Sequence, residues 1–205
     1  MTEKKCIFCD YDLIKNDILL ESDNFFVKVG VGILAPGHVM IVTKKHISCF
    51  GELPKQLIRE FVALKNEVFN RTKSNFSEPI VYEPGIYSQS VSHAHIHFIP
   101  NKSDFYHLKN INEKIFKHLK STKLDDMFQI TNVFENEDSY FYLEENDQKW
   151  IFHTKDLPEG RYNFRKKFAR LTGLYGLSSW ENMPDEERIR NKQWIKLTKE
   201  MSKSI

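Results

Sequence analysis

The segment that decides the fold is Ser88-Gln-Ser-Val-Ser-His-Ala-His-Ile-His-Phe-Ile-Pro100, in which histidine occupies every second position three times. Side chains of a β-strand alternate between its two faces, so a strand over 92–99 would place His93, His95 and His97 on one face. Three adjacent imidazoles make a poor core, because each ring needs a partner for one donor and one acceptor. The pattern therefore favours a functional site on a sheet.

Two chemical roles are open for the three histidines. Histidine is the commonest metal ligand, and a His-x-His pair on a strand can hold zinc with a third histidine. Alternatively, one histidine is a nucleophile while its neighbours orient it and handle protons. The preceding loop favours the nucleophile, because it offers backbone N–H groups and small polar side chains that can bind phosphate oxygens. The loop residues concerned are Gly85, Ser88, Gln89 and Ser90.

Apolar periodicity outlines further elements on both sides of this segment. In the first half it predicts strands over 23–28, 38–43 and 80–83 and a helix over 53–69. In the second half it predicts helices over 111–124, 164–171 and 185–201 and strands over 128–133, 139–143 and 150–153. We therefore expect an α+β fold, with one unit over 1–101 and a C-terminal α/β extension over 102–205 that can pack into the same body.

Composition limits the partners. The chain has 205 residues, 40% hydrophobic and 28% charged, with a net charge of +2. That charge is too small to indicate nucleic acid or membrane binding by bulk electrostatics. The longest apolar stretch, 27–42, is interrupted by lysine, glycine and proline, so no membrane span is expected. An N-terminus without a secretory pattern and three cysteines predict a cytoplasmic protein, and a homodimer remains open.

The triad segment resembles the signature of the histidine-triad (HIT) superfamily, His-φ-His-φ-His-φ-φ, where φ is hydrophobic. Gln89-Ser-Val91 is similar to the Gln-Ser/Thr-Val that precedes the triad in the Hint and Fhit branches. Cys6-Ile-Phe-Cys9, and Pro36-Gly-His38 followed by Lys44-Lys-His46, resemble segments of bacterial members. The length and the Tyr-Glu-Pro-Gly at 82–85 are similar to larger bacterial HIT-like hydrolases with long C-terminal regions.

The resemblance implies a HIT-like antiparallel sheet with helices and an activity at the α-phosphate of a nucleotide. His95 would attack the phosphorus and form a nucleotidyl-histidine, which water or another acceptor resolves. His97 would help to hold the phosphate and the nucleophile, and His38 would support their hydrogen bonds. Gln89 and Ser90 would contact phosphate oxygens and the leaving group. The implied substrates are dinucleoside polyphosphates, nucleoside phosphoramidates or related nucleotides, and catalysis requires no cofactor.

The cysteine pair has the spacing of zinc ligands, although two ordinary thiols at a core edge fit the same pattern. The resemblance implies a closed structural zinc site. Its ligands would be Cys6, Cys9, His46 and His93. Such a site would pin the N-terminus to the sheet and would give His93 a role different from that of the nucleophile.

Two features separate this chain from parts of the superfamily. Galactose-1-phosphate uridylyltransferases carry glutamine at the third triad position, whereas His97 is typical of hydrolase-type members. The position where Hint and Fhit members bind ribose with Asp or Asn is Gly30, which puts that contact in doubt. Two alternatives to a nucleotide hydrolase or transferase stay open: a metal-dependent hydrolase with a three-histidine site, and a nucleotide-binding module without turnover.

The C-terminal half carries one weak functional signal. Arg161, Arg165 and Arg170 lie near two phenylalanines and can reach a nucleotide phosphate. The same arginines also fit the solvated face of an amphipathic helix, which is the more common situation.

Overall fold

The computed structural model describes residues 6–137, 139–155, 157 and 163–202. Its strands, labelled in chain order, are β1 (Ile18–Glu21), β2 (Phe25–Val29), β3 (Val39–Thr43), β4 (Pro79–Glu83), β5 (His95–Pro100), β6 (Lys102–Ser103), β7 (Tyr106–His107), β8 (Ser121–Leu124), β9 (Tyr140–Glu145) and β10 (Gln148–His153). Its helices are α1 (Tyr11–Ile14), α2 (Ile58–Asn75), α3 (Gly85–Ser88), α4 (Ile111–Phe116), α5 (Gln129–Glu137), α6 (Phe164–Thr172) and α7 (Asp185–Ser202).

One antiparallel sheet runs through both halves of the chain. Its strand order is β1-β2-β3-β5-β4-β9-β10-β8, so β9 from the second half pairs directly with β4 from the first. Together with the helices, this sheet confirms the α+β fold expected from the sequence. The strands β6 and β7 form a separate hairpin.

The two faces of the sheet have different roles. On one face, apolar residues such as Val27, Ile41 and Ile96 pack in a single core with the buried stripe of α2, which includes Phe61 and Leu64. The opposite face has a smaller apolar cluster covered by the N-terminal segment. That second face also carries the histidines of β5, because alternate residues of a strand point to opposite sides.

Most predicted elements of the first half are confirmed with shifted ends. The helix predicted over 53–69 begins with a 3-10 turn at Lys55–Leu57 and continues as α2 to residue 75. The strand predicted over 92–99 begins only at His95, because a tight turn precedes it, in which the N–H of His93 donates to the carbonyl of Val91 at 2.8 Å. His93 therefore lies just outside the strand.

The second half contains two wrong predictions. Residues 129–133 belong to the helix α5 and not to a strand, because Asp126 and Gln129 form a capping box at its start. Asp126 accepts from the N–H of Phe128 at 2.9 Å, while the Gln129 side chain accepts from the N–H of Asp126 at 3.2 Å. The helix predicted over 111–124 ends at residue 116, and 121–124 form the edge strand β8, whose only buried residue is Leu124.

The other four predictions for the second half are confirmed as β9, β10, α6 and α7. They were made for 139–143, 150–153, 164–171 and 185–201, respectively. Within the described ranges, no helix combines the length and the apolar character that crossing a membrane requires.

Candidate active site

A cavity of about 400 Å³ lies against the sheet face that carries His95 and His97. One wall comes from the N-terminal segment and β2, and another from the loop after α3, including Ser88, Gln89 and Ser90. The C-terminal half closes the cavity with the start of α6 and with residues 178–181. Residues from both halves of the chain therefore enclose a single cavity next to the histidines.

His95 is oriented as a nucleophile would be. Its Nδ1 lies 2.6 Å from the carbonyl oxygen of His93, so Nδ1 carries the hydrogen and donates it, which leaves a lone pair on Nε2. The side chain is almost fully buried, and this burial lowers its pKa to about 4. The ring of Phe8 packs edge-on against it with centroids 5.4 Å apart. The imidazole is thus neutral and held in one tautomer at neutral pH.

His38 and His97 form a relay that defines the hydrogen positions on both rings. The backbone N–H of Leu34 donates to His38 Nδ1 at 3.0 Å, so the hydrogen of neutral His38 lies on Nε2. This Nε2 is 3.0 Å from Nδ1 of His97, to which it donates. The hydrogen of neutral His97 therefore lies on its own Nε2, which makes that atom a hydrogen-bond donor.

Burial keeps the two relay histidines uncharged. It lowers the pKa of His38 to about 3 and that of His97 well below its usual range. The nearby charge of Arg165 acts in the same direction on both rings. His97 is further fixed by stacking on Tyr82 at 4.4 Å between centroids, and Tyr82 stacks on Phe164 of α6 at 4.1 Å.

The loop residues predicted to bind phosphate divide into two groups. Ser88, Gln89 and Ser90 line the cavity, and Gln89 Nε2 donates to the carbonyl of Ser48 at 2.9 Å. Gly85 does not line the cavity. It has a φ of +59°, and a Cβ there would lie 2.0 Å from the carbonyl oxygen of Tyr140. Glycine is needed at this position because the backbone is left-handed and there is no space for a Cβ.

The four residues predicted as metal ligands come together beside the triad. Their ligand atoms all lie within 4.8 Å of one another, and the cluster can hold a metal ion. His93 Nδ1 is 3.3 Å from Cys6 Sγ and 3.5 Å from Cys9 Sγ, and His46 Nδ1 is 3.3 Å from Cys9 Sγ. The other nitrogen of His93 donates to the carbonyl of Thr43 at 2.7 Å. Such an outer hydrogen bond is what orients a metal-binding imidazole.

Three cationic residues line the cavity and were not predicted as site residues: Lys28, Arg165 and the exposed Lys166. Lys28 is only 2% exposed and lies on the histidine face, because it pairs with Met40, which pairs with His97. The signal in the sequence is a single lysine inside the otherwise apolar strand Phe-Phe-Val-Lys-Val. Arg165, one of the three arginines noted in the C-terminal half, lines the cavity. Arg170 is exposed, and Arg161 lies outside the described residues.

Gly30, at the position where the resemblance places a ribose contact, lines the cavity. A Cβ at this position would lie 2.7 Å from Met40 Cε, so a side chain would require Met40 to move.

The fold and the cavity define an α+β protein in which strand-borne histidines face a cavity enclosed by both halves of the chain. Residues 13–104 match the family model described as HIT domain.

Three solved structures are similar to parts of this chain. Plasmodium falciparum diadenosine triphosphate hydrolase, in complex with cyclomarin A, is 20% identical over 67% of this chain and 88% of that chain, with a TM-score of 0.44. A zinc-bound histidine triad family protein from Mycobacterium smegmatis is 17% identical over 53% and 86%, with a TM-score of 0.41. A HIT family hydrolase from Clostridium thermocellum is 21% identical over 53% and 99%, with a TM-score of 0.41. A comparison with curated proteins found no match.

Proposed function

We propose that this protein is a HIT-type nucleotide hydrolase that attacks the α-phosphorus of its substrate with Nε2 of His95. The observation that carries the proposal is the hydrogen bond from His95 Nδ1 to the carbonyl of His93. It leaves the Nε2 lone pair available beside a cavity that contains the His97 N–H, three polar loop residues and three cationic side chains. The match of residues 13–104 to the HIT domain supports the same assignment.

In the first step, a bond forms between His95 Nε2 and the α-phosphorus while the bond from phosphorus to the leaving group breaks. The leaving group departs with the bonding electron pair, and an amine leaving group takes up one proton from solvent as the P–N bond breaks. His95 then carries a positive charge, which the carbonyl oxygen of His93 stabilises through Nδ1–H. The N–H of His97 donates to a phosphate oxygen where negative charge accumulates, and the loop residues share this role.

In the second step, water attacks the phosphorus and the N–P bond breaks, with its electron pair returning to His95. The products are a nucleoside monophosphate and a neutral imidazole, and the proton released from water passes to solvent. Neither step requires a metal, because the chain supplies both the nucleophile and the hydrogen-bond donors.

Two alternatives receive less support from the geometry. A three-histidine metal site needs the triad rings to converge, but Nδ1 of His93 lies at the thiols while Nδ1 of His95 and of His97 are held by protein hydrogen bonds. A binding module without turnover would not need a buried nucleophile held in one tautomer. It remains one outcome of the test below.

We also propose that the metal cluster holds structural zinc. Tetrahedral zinc with Zn–S of about 2.3 Å and Zn–N of about 2.0 Å places sulfur and nitrogen ligands about 3.5 Å apart. Three of the four sulfur–nitrogen distances of the cluster are 3.3, 3.3 and 3.5 Å, so the donor set fits this ion. Bound zinc would anchor the N-terminal segment to the strand turn that presents the His93 carbonyl to His95. A cytoplasmic location and a homodimer stay predictions.

The test is to trap the intermediate. The purified chain is incubated briefly with a dinucleoside triphosphate or with adenosine 5′-phosphoramidate and quenched in alkali, and the nucleotidylated peptide is mapped by mass spectrometry. We expect the adduct on His95, and we expect His95→Asn to lower turnover by on the order of 10³-fold or more. His118→Asn is the matched control, because this histidine is exposed and does not line the cavity.

An adduct that persists in His95→Asn would refute the assignment of the nucleophile. Tight binding of these nucleotides without turnover by the wild type would favour the binding module.

A further inference from the structure

Lys28 has no role in the steps proposed above, although its position is unusual for a lysine. It is buried beside Phe8 on the histidine face and lines the cavity. Its Nζ donates to the carbonyl of Val29 at 2.7 Å, and no carboxylate among the described residues forms an ion pair with it. Burial lowers the pKa of Lys28, the charge of Asp17 opposes this effect, and the charge of Lys199 adds to it. A buried lysine with no contacting carboxylate requires an explanation beyond packing.

Arg165 occupies another wall of the same cavity. Its Nη1 donates to the carbonyl of Leu177 at 3.0 Å, and its Nη2 donates to the carbonyl of Gly32. Two neutral acceptors position the guanidinium without neutralising it, and within the described ranges no ion pair involves this arginine. Its charge reaches His38 and His97, whose pKa values it helps to lower after the larger effect of burial.

The start of α6 adds to this wall. Residues 163–166 all line the cavity, and the dipole of a helix N-terminus favours anions. The Asn163 side chain caps this end by accepting from the N–H of Lys166 at 3.0 Å. The charged residues lining the cavity are Lys28, Arg165, Lys166, Asp17 and Glu181. Three cations therefore face two carboxylates, and one of these, Asp17, also pairs with Lys199 at 2.7 Å. The described lining therefore carries a net positive charge.

We propose that Arg165, together with Lys28, binds negative charge on the leaving group, so that the enzyme selects nucleotides whose leaving group carries phosphate. This inference rests on the proposed function and makes Arg165, which lies outside the matched HIT domain, a specificity-determining residue. A dinucleoside triphosphate can bind to both cations, because its leaving group carries phosphate. Adenosine 5′-phosphoramidate has a leaving group without charge and cannot use them.

The experiment compares kcat/KM for these two substrates in full-length variants. Arg165→Gln should lower kcat/KM for the dinucleoside triphosphate by on the order of 10- to 100-fold, the effect of one charge-assisted hydrogen bond. We expect a change of less than about threefold for the phosphoramidate, and Arg165→Lys should restore part of the loss. Arg170→Gln is the matched control, since this arginine lies on the same helix but is exposed and does not line the cavity.

A second variant, Lys28→Met, tests whether the effect of Arg165→Gln comes from the lost charge or only from a structural change. Methionine has a similar length and suits the apolar surroundings of Phe8 and Met40, so the melting temperature should stay equal or rise while the preference for the triphosphate falls. A binding measurement that needs no turnover completes the test: inorganic tripolyphosphate should bind the wild type and Arg170→Gln at least about tenfold more tightly than Arg165→Gln.

The outcomes separate the inference from the proposed function. If His95 is nucleotidylated by both substrates but Arg165→Gln lowers both activities equally or neither, this inference is overturned while the proposed function stands. Equal tripolyphosphate binding by wild type and Arg165→Gln would also overturn it. If the wild type forms no adduct with either substrate, both proposals fail.

Discussion

Gly85 gives a sharp test of how the fold positions the cavity loop. It begins α3, adopts a left-handed φ of +59°, and would place a Cβ 2.0 Å from the carbonyl oxygen of Tyr140. Tyr140 belongs to β9, which is paired with strands on both sides, so its backbone cannot easily move away. Gly85→Ala should therefore suffer both a conformational and a steric cost.

Gly173→Ala isolates the first of these costs. Gly173 has a similar φ of +75° at the end of α6, but nothing lies within 4 Å of the position of its Cβ. A left-handed alanine costs roughly 1 kcal/mol, which lowers the melting temperature by about 2–4 °C in a chain of this size. Overpacking against rigid backbone adds about 3 kcal/mol, so Gly85→Ala should lose about 10 °C or more.

The assay is thermal unfolding by calorimetry, followed by nucleotide hydrolysis at a temperature where both variants are folded. Gly85→Ala should also lose activity, because a displaced α3 carries Ser88 and Gln89 away from the histidines. Gly173→Ala should remain active. Equal shifts in melting temperature for the two alanine variants would refute the steric argument.

Three further predictions concern other parts of the site. Cys9→Ser should lower both the zinc content and the melting temperature, and a chelator should destabilise the wild type but not this variant, as checked by metal analysis and calorimetry. Burial raises the pKa of Glu83 to about 7, above its unfolded value of 4.5, so its contribution to stability is lost as pH rises through about 7. Glu83→Gln should therefore gain roughly 2 kcal/mol relative to wild type between about pH 5 and about pH 8, as measured by denaturant titration at each pH. His38→Gln retains a side-chain N–H donor for His97 whereas His38→Leu does not, so steady-state hydrolysis by the leucine variant should be about tenfold slower than by the glutamine variant.

The parts of the fold and site that can be predicted from the sequence are those encoded by local pattern. The alternation around His95 and the apolar stripe of α2 follow from period alone, and both correspond to structural elements. The helix α5 was missed, although Asp126 and Gln129 form a capping box that can be recognised from spacing. Apolar residues over 128–133 were interpreted as a strand because a short apolar run fits either element.

The positions of Lys28 and Arg165 in the cavity could not be predicted from local pattern, because they depend on long-range strand pairing and packing. Lys28 reaches the histidine face through the register of β2, β3 and β5, which places Met40 between it and His97. Arg165 reaches the cavity only because β9 extends the sheet from β4 and α6 then packs on Tyr82. Neither arrangement leaves a periodic signal near the residue concerned.

The C-terminal helix α7 acts on the histidines even though it lines none of the cavity. Asn191 accepts from the N–H of Ile33 at 3.1 Å and donates to the carbonyl of the same residue at 2.6 Å, and Thr198 accepts from the N–H of Gly37 at 2.8 Å. These bonds hold Ile33 and Gly37 in one loop. The residue after Ile33 is Leu34, whose N–H donates to His38, and the residue after Gly37 is His38 itself. Because the His38 bond defines which nitrogen of His97 carries hydrogen, the geometry of the proposed chemistry depends on residues about one hundred positions beyond the triad. The sheet and the hydrogen-bond network of the site therefore both extend across residue 101.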